Sequence, residues 1–354
     1  MFYSGQKGRV TTRDTRMTES SKKAFSLNKI MTVAFLTVLV SAHSVVTWSM
    51  QSGFARKTLI VAATEGSSTV MVHYIDVGQG DSILIDTPDK DVLIDGGPAD
   101  AGPTVLSYLT STSVTHVHVM VATHVHEDHI GGLVAILSST TIVDEILING
   151  QTSSSNTYTN VMNLAQSHKV TVADRGQTYT LTATANLTVF NPTQPLQFID
   201  PNHVNDNSVV VKLQVGNSSF LFTGDAETQA EQSMLNAGLN LQSNVLKVGH
   251  HGSRTATTQT FLNKVAPSYA IISAGRNNSY GHPHSETIQR LLAKGTMIYG
   301  TFQSGTIVAS TDGTSIVFQN SPQPIPEFQS SLILTVLMTV TILAVTSCRR
   351  KHAF

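Results

Sequence analysis

The feature that most constrains this 354-residue chain is the stretch "THVHEDHIGG" at residues 123–132. It places three imidazoles and two carboxylates within six residues, which destabilises an apolar core unless these groups are paired or bind a metal. The apolar run before it, Val117–Val121, is typical of a strand, and "GGLVAILSS" after it favours a helix. The sequence therefore predicts a loop between a strand and a helix that aims several ligands at one point.

The candidate ligands in this loop are His124, His126, Asp128 and His129. Imidazole suits Zn²⁺, and carboxylates suit zinc, manganese or iron. Four donors this close together would serve two ions better than one, and two ions about 3.5–4 Å apart can share a hydroxide nucleophile. We therefore expect two divalent metal ions, with Zn²⁺ favoured and Mn²⁺ or Fe as alternatives. Because the only cysteine, Cys348, lies in the tail, ligands in the body must be His or carboxylates.

Other predicted strand ends offer the remaining ligands. Asp225 follows the apolar run "SSFLF" and is a natural bridging carboxylate, and His250 and His251 follow "NVLKVG". His203 lies just before the strand pattern "SVVVKL". Each of these residues alone is equally compatible with a structural role, but their shared position at strand ends favours a binuclear site.

The body of the chain, residues 65–320, alternates short strand patterns with helical ones. "VMVHYIDV", "SILIDT" and "DVLID" are typical of strands, and helices are expected at Pro103–Thr110, 226–238 and 285–295. Strand-rich halves with interspersed helices predict a mixed α/β domain in which helices pack outside two sheets.

Both ends of the chain carry an apolar segment beside basic residues. A basic segment, residues 1–29, precedes the apolar residues 30–50, which we interpret as a signal anchor, a cleaved signal peptide or, less favoured, a buried helix. A Pro-rich spacer, residues 321–331, precedes the apolar residues 332–346 and the basic tail 347–354. Basic flanks predict cytoplasmic ends, so the body would lie outside the cell, anchored to the membrane or at the cell surface.

The tripeptide "PEF" at residues 326–328 resembles the PEF-type C-terminal sorting signals of archaeal surface proteins. That resemblance implies that a sortase-like membrane enzyme removes the tail. A membrane protein with two simple anchors would show the same charge asymmetry, so both interpretations stay open.

Six ordered motifs over about residues 69–320 resemble those of metallo-β-lactamase-fold hydrolases, in the ComEC-like branch. They are "IDVGQGDSILIDT…VLIDGG", "THVHEDHIGG", "NDNSVVVKL", "FLFTGDAE", "VLKVGHHGS" and "ISAGRNNSYGHP". This branch contains the hydrolase domain of the bacterial competence DNA-uptake channel and related exported hydrolases. The resemblance implies an αββα sandwich with the metal site along one edge of its two sheets.

The resemblance also implies a ligand set, which we carry over by position: His124 and His126 on the first metal, Asp128 and His129 on the second, Asp225 as the bridge, and His251 as the last ligand of the second metal. His203 would complete the first metal. The ComEC-like branch often has only the Asn-rich turn at that point, so Asn205 or Asn207 would then contact water or substrate. His250 would face substrate, or it would exchange roles with His251.

Further residues are placed near the site by the same resemblance. Asp95 would orient the ligand loop, and Asp81 would support that edge or face substrate. In "NNSYGHPH", His282 would hold substrate or donate a proton to the leaving group. For Asn277, Tyr280 and His284, a structural role in the turn is as compatible with the sequence as a role in the site. The expected catalytic residues are Asp128, His250 and His282.

A site that activates water favours hydrolysis, and the resemblance implies a phosphodiester, in single-stranded DNA or in a small or cell-surface molecule. Between residues 58 and 348 the chain has 10 Lys or Arg against 21 Asp or Glu, a net charge of −11. This charge disfavours a nuclease that holds long duplex DNA tightly. The alternatives are hydrolysis of lactone, thioester or β-lactam bonds, and a non-catalytic metal-binding surface protein.

Overall fold

Two facing β-sheets with helices on their outer faces form the part of the chain that the computed structural model describes, residues 69–321. The αββα sandwich that the motifs implied is confirmed. The predicted terminal segments at 1–50 and 332–354, and nearly all of the Pro-rich spacer, lie outside the described residues. Among residues 69–321, no helix combines the length and apolar character needed to cross a bilayer.

The first sheet contains eight strands: β1 (Val70–Tyr74), β2 (Ile83–Asp86), β3 (Val92–Ile94), β4 (His116–Ala122), β5 (Ile142–Ile148), β6 (Lys169–Val172), β14 (Ile307–Thr311) and β15 (Ile316–Phe318). Their order is β15-β14-β1-β2-β3-β4-β5-β6. The pairs from β15 to β3 are antiparallel, and the pairs from β3 to β6 are parallel.

The second sheet contains seven strands: β7 (Thr178–Thr180), β8 (Ala185–Asn191), β9 (Val210–Val215), β10 (Ser218–Phe222), β11 (Val245–Lys247), β12 (Tyr269–Ile272) and β13 (Met297–Gly300). Their order is β13-β12-β11-β10-β9-β8-β7. Strands β10 to β13 pair in parallel, and β7 to β10 pair antiparallel.

The helices divide between the two outer faces. They are α1 (Gly102–Ser111), α2 (Glu127–Ile130), α3 (Leu133–Leu137), α4 (Asn156–Ala165), α5 (Thr228–Asn236), α6 (Gln259–Val265), α7 (Ser285–Ala293) and α8 (Thr301–Ser304). Short 3₁₀ turns lie at Ala99–Ala101, Pro201–His203, Asn205–Asn207 and Gly249–Gly252. Helices α1 to α4 pack on the first sheet, and α5 to α7 pack on the second.

Strand β4 shows why the run before the His-rich loop is almost continuously apolar. Val119 and Val121 enter the core between the sheets, whereas Met120 and Ala122 face the helices outside. A strand covered on both faces has no solvent side on which polar residues would alternate. Its apolar run therefore ends only where the chain leaves the sheet, at the ligand loop.

The structure differs from the sequence-based prediction in two places near functional segments. A helical turn, α2, already begins at Glu127, so Asp128 and His129 are helical rather than part of a loop. Acidic residues in the first turn stabilise a helix N-terminus, which accounts for the early start. No element was assigned to residues 140–200, where the structure has β5 to β8 and α4.

Candidate metal centre

The carboxyl ends of strands in both sheets deliver the polar residues of the site. In the first sheet, Asp95 follows β3, and His124 and His126 follow β4. In the second sheet, Asp225 follows β10 and His251 follows β11. Because the strands within each of these two pairs are parallel, their carboxyl ends lie at the same edge of the sheet. This arrangement brings together residues that are far apart in sequence.

The Asp95 carboxylate fixes the orientation of the His129 ring. Asp95 Oδ2 accepts a hydrogen bond from His129 Nδ1 at 2.7 Å. The same carboxylate accepts bonds from the Thr123 N–H at 2.8 Å and from Thr123 Oγ1 at 2.7 Å. A carboxylate partner on Nδ1 leaves the lone pair of the neutral ring on Nε2, where it can bind a metal.

Close backbone packing holds the ligand loop in place. A Cβ atom added at Gly132 would collide with the Gly96 carbonyl oxygen. A Cβ atom added at Gly80, whose φ is +145°, would collide with the carbonyl oxygen of Asp128. The glycines therefore let three loops approach one another more closely than any side chain would permit.

We use the name inner cluster for Asp81, His129, Asp225 and His251, whose ligand atoms all lie within 4.8 Å of one another. His129 Nε2 lies 3.2 Å from Asp225 Oδ1, and His251 Nε2 lies 3.5 Å from Asp225 Oδ2. His251 Nε2 is also 3.2 Å from Asp128 Oδ2, which adds a fifth group at the edge of the inner cluster.

Several atoms of the inner cluster are buried without a hydrogen-bond partner. Among the described residues this holds for His129 Nε2, His251 Nε2, Asp225 Oδ1 and Asp81 Oδ1, although His129 Nε2 and Asp225 Oδ1 lie 3.2 Å apart as an ion pair. Buried polar atoms are almost always hydrogen-bonded, so unpartnered atoms that converge need another explanation. Two imidazole nitrogens and a carboxylate oxygen aimed at one point fit a divalent metal ion.

A buried lysine, which the sequence analysis missed, supports this cluster. Lys247 Nζ lies 2.8 Å from Asp81 Oδ2 and donates to the Val248 carbonyl at 3.1 Å. The other oxygen, Asp81 Oδ1, lies 3.4 Å from His251 Nδ1, which donates to the Ser273 carbonyl at 3.0 Å. The available signal was a single lysine inside the apolar strand "VLKV".

Opposite charges shift the pKa values of the cluster in opposite directions. Burial alone would lower the pKa of His129, but Asp225 and Asp95 outweigh burial and raise it well above the ordinary value. Burial also opposes a charged His251, yet Asp225 and Asp128 raise its pKa to about 9. Burial would raise the pKa of Asp225, which His129 and His251 instead lower well below its ordinary value. Metal uptake must therefore displace protons.

A cavity of about 480 Å³ opens onto these residues, and its walls include His126, Asp128, Asp225, His250, His251 and His282. A larger cavity of about 560 Å³, lined in part by Asp76, Asp100 and Arg276, contains none of the ligands. The smaller cavity is therefore the candidate active site.

Residues 75–276 match the family model of the metallo-beta-lactamase superfamily. The chain belongs to this superfamily. Its αββα sandwich and its buried His and Asp cluster agree with that assignment, and the cluster could hold metal ions.

Two named relatives are longer than the region that matches this chain. ComE operon protein 3 of Bacillus subtilis is 33% identical over 261 residues, 68% of this chain and 33% of that protein. Competence protein ComA of Neisseria gonorrhoeae is 29% identical over 253 residues, 70% of this chain and 33% of that protein. The matched region thus spans about a third of each relative.

The solved metallo-beta-lactamase fold protein YhfI from Bacillus subtilis superimposes with a TM-score of 0.45 at 12% identity, covering 69% of this chain and 100% of that chain.

Two of the remaining histidines predicted for this site, His124 and His250, approach the same oxygen of Asp225. His124 Nε2 lies 3.0 Å from His126 Nδ1 and 3.9 Å from Asp225 Oδ2. His250 Nε2 lies 3.7 Å from that same Oδ2 atom, and its Nδ1 is 2.6 Å from Glu227 Oε1. Burial, followed by the neighbouring His129, lowers the pKa of His124 well below its ordinary value. The His124 ring is therefore neutral at pH 7, as a ligand must be.

The structure places the Asn-rich turn beside the site rather than within the inner cluster. His203 is 38% exposed and its Nδ1 lies 3.1 Å from Asp206 Oδ2, with no contact recorded to the inner cluster within residues 69–321. Asn205 lines the cavity and donates to Glu227 Oε1 at 3.3 Å. Asn207 is buried and donates to the Phe198 carbonyl at 2.5 Å, so it braces the turn.

The loop "RNNSYGHP" is organised by Asn278, a residue that the sequence analysis did not single out. Asn278 Oδ1 accepts bonds from the N–H groups of Tyr280 and His282, at 3.1 and 3.0 Å. Its Nδ2 donates to the carbonyls of Gly275 and His282, at 2.9 and 2.6 Å. The neighbouring Asn277 is exposed with a φ of +56°. His284 Nδ1 accepts a bond from the Arg254 N–H at 3.1 Å and so has a structural contact.

A second group of possible ligands lies at the starts of the neighbouring strands β4 and β5, and we name it the outer cluster: His116, His118 and Asp144. His116 Nε2 lies 2.9 Å from Asp144 Oδ1, and the two histidine rings stack at 3.9 Å. The Asp91 N–H donates to His118 Nδ1 at 3.0 Å. The outer cluster is partly exposed, in contrast with the inner one.

Proposed function

We propose that this chain is a binuclear metal-dependent phosphodiesterase that cleaves single-stranded nucleic acid. The observation that carries the proposal is the convergence of buried, unpartnered ligand atoms from His129, His251 and Asp225 beside an open cavity. The relative named a competence protein supports a nucleic-acid substrate. The net charge of −11 between residues 58 and 348 favours a short single strand over a long duplex.

Two ligand groups that share Asp225 support the assignment of two ions. Asp128, His129 and His251 would hold one ion together with Asp225 Oδ1 or Oδ2. A second ion would be held by His124, His126 and His250.

We propose His250, rather than His203, as the third histidine of that second group. The Nε2 atoms of His250 and His124 lie at similar distances from Asp225 Oδ2, 3.7 and 3.9 Å. Glu227 accepts from His250 Nδ1 and so leaves the Nε2 lone pair of the neutral ring directed at Asp225. The recorded partner of His203 is Asp206, whose other oxygen accepts the Ala230 N–H at 2.9 Å.

When bound, the divalent ions would lower the pKa of a water molecule and neutralise negative charge that develops on the phosphoryl oxygens. Residues of the chain would orient the ligands and contact the substrate. Asp95 and Glu227 orient His129 and His250. His282 lies on the cavity wall with a buried Nδ1 atom that has no recorded hydrogen-bond partner in the described part of the chain. Because Nδ1 is buried, a hydrogen bond from this ring to the substrate would come from Nε2.

The test is hydrolysis of bis(p-nitrophenyl) phosphate by the full-length protein after chelation and after addition of Zn²⁺ or Mn²⁺. We expect turnover only with metal, and none above background in Asp225→Ala. His116→Ala, in the outer cluster, is the matched control and should retain wild-type activity. A protein that binds two ions per chain but leaves the phosphodiester intact would contradict the proposal.

We also propose that the site functions outside the cell, as the basic and apolar terminal segments indicate. Protease added to intact cells should then degrade an epitope tag placed between residues 321 and 322 while a cytoplasmic control protein survives. Protection of the tag in intact cells, with cleavage only after lysis, would contradict this location.

A further inference from the structure

Tyr280 is an aromatic side chain displayed at the mouth of the cavity. It is 66% exposed, whereas every other Phe or Tyr among residues 69–321 is buried or partly buried, and it lines the same cavity as His250 and His251. Its ring stacks on that of His282, with an interplanar angle of 19° and 5.7 Å between the centroids. One face of the tyrosine is therefore supported by the wall of the site.

The loop holds this ring in a defined position. Asn278 accepts bonds from the N–H groups on either side of Gly281 and donates to the carbonyls of Gly275 and His282. These four bonds close the turn upon itself. An exposed ring on a braced turn loses little conformational freedom when a ligand packs on it.

The rings form a continuous path from the candidate ligands to the surface. The His282 ring lies 5.3 Å from that of His250 and 6.1 Å from that of His251. Tyr280 is the next ring outward. Because only a sugar separates phosphate from base, a nucleotide whose phosphodiester contacts the metal site would extend its base along the wall of this cavity, on which Tyr280 lies.

The charge of the cavity makes a stacking contact important for affinity. None of the described residues that line it is Lys or Arg, and Glu127, Asp128 and Asp225 are acidic. Proteins that bind single strands combine cationic grooves with aromatic stacking. Since the cationic part is missing from the cavity lining, affinity beyond the metals must come from contacts that do not depend on positive charge.

We propose that Tyr280 is a stacking platform for a nucleobase next to the scissile phosphodiester. The inference rests on the proposed function and adds to it that the substrate carries a base. A phosphodiester without an aromatic group would lack this contact. Every base has a face that can stack, so the platform predicts recognition of a base with little sequence preference.

The test compares two short single strands of equal length and charge, one with normal bases and one with tetrahydrofuran abasic sites. We expect the wild-type protein to show a KM about tenfold lower for the strand with bases, which corresponds to about 1.4 kcal/mol. Tyr280→Ala should raise KM for that strand by the same factor and leave KM for the abasic strand unchanged, with kcat retained. Tyr280→Phe should behave as wild type, and Tyr280→Leu as the alanine variant.

A binding measurement separates this proposal from the proposed function. An oligothymidylate with one 2-aminopurine should lose fluorescence when the metal-loaded wild-type protein stacks on the base, and should keep it with Tyr280→Ala. Quenching without cleavage would contradict the phosphodiesterase and retain the platform. Equal KM values for the two strands in the wild type, equal losses on both in Tyr280→Ala, or unchanged quenching in that variant would each overturn the platform.

Discussion

The inner and outer clusters lie near opposite ends of β4 and use the same residue types. At the end of the strand, His129 is fully buried and donates from Nδ1 to the Asp95 carboxylate. At its start, His118 is partly exposed and accepts the Asp91 N–H at Nδ1. Because a backbone N–H only donates, the neutral His118 ring must carry its proton on Nε2.

That difference decides which histidine is ready to bind a metal. In neutral His129 the lone pair is on Nε2, which faces Asp225. In His251 the Ser273 carbonyl accepts the proton on Nδ1, so the lone pair of the neutral ring is again on Nε2. The lone pair of His118 is already used by the Asp91 N–H, so its Nε2 offers only a proton. Composition alone does not distinguish the two clusters; the hydrogen-bond partner on the far side of each ring does.

The largest expected effect is the loss of metal from the inner cluster. Asp225→Ala removes the carboxylate within 4 Å of four histidines. Zinc content and kcat/KM should both fall, and by more than the roughly 10–100-fold loss that follows mutation of a residue which only hydrogen-bonds a ligand. Elemental analysis after dialysis measures the content. His116→Ala should leave both unchanged, and equal losses in the two variants would end the distinction between the clusters.

The next effect concerns the buried ion pair beside the inner cluster. Lys247→Met leaves the Asp81 carboxylate buried without its cation, and we expect the free energy of unfolding to fall by about 3–5 kcal/mol. Lys169→Met is the matched control because Lys169 is 68% exposed in its 2.8 Å pair with Glu145. It should cost less than about 1 kcal/mol. Urea denaturation measures both, and similar losses would contradict the role of burial.

A smaller effect is expected where only the orientation of a ring changes. Asp95→Asn keeps the size of the side chain but removes the charge that holds His129, so zinc affinity should fall by about 10–100-fold. Calorimetric titration with Zn²⁺ gives the affinity. Asp144→Asn makes the same change in the outer cluster and should have no effect; a wild-type affinity in Asp95→Asn would contradict the orienting role.

The smallest effect is a pH dependence confined to the inner cluster. The pKa of His251 is about 9 in the folded, metal-free protein and about 6.5 when unfolded. Its contribution to stability is therefore complete below pH 6.5 and lost as the pH rises through 9. Asp225, whose pKa is lowered, already contributes fully above pH 6. Metal-free stability should fall by on the order of 1–3 kcal/mol between pH 6.5 and 9, while zinc affinity rises.

Urea unfolding of chelator-treated protein at several pH values measures this slope. His251→Gln should reduce the slope without abolishing it, because His129, whose pKa is also raised, still contributes, and His116→Ala should leave the slope unchanged. A stability that rises over the same pH range would contradict the sign.

Much of the fold follows from the sequence because its strands and helices have distinct periods and clear ends. "VLI" and "SSFLF" are short apolar runs with Asp95 and Asp225 after them, and within each sheet a parallel neighbouring strand ends at the same edge and delivers further ligands there. The position of "THVHEDHIGG" after an apolar strand likewise predicted a ligand loop. These are local patterns combined with one rule about parallel strands.

Only the tertiary structure decided which groups meet across the loops. It pairs Lys247 with Asp81, His250 with Glu227 and His203 with Asp206. It also assigns the brace of the aromatic loop to Asn278 instead of Asn277. Such contacts depend on ångström-scale distances and side-chain directions, which are set by how the two sheets pack. Neighbouring residues of the same type, such as Asn277 and Asn278, carry no sequence signal that distinguishes their roles.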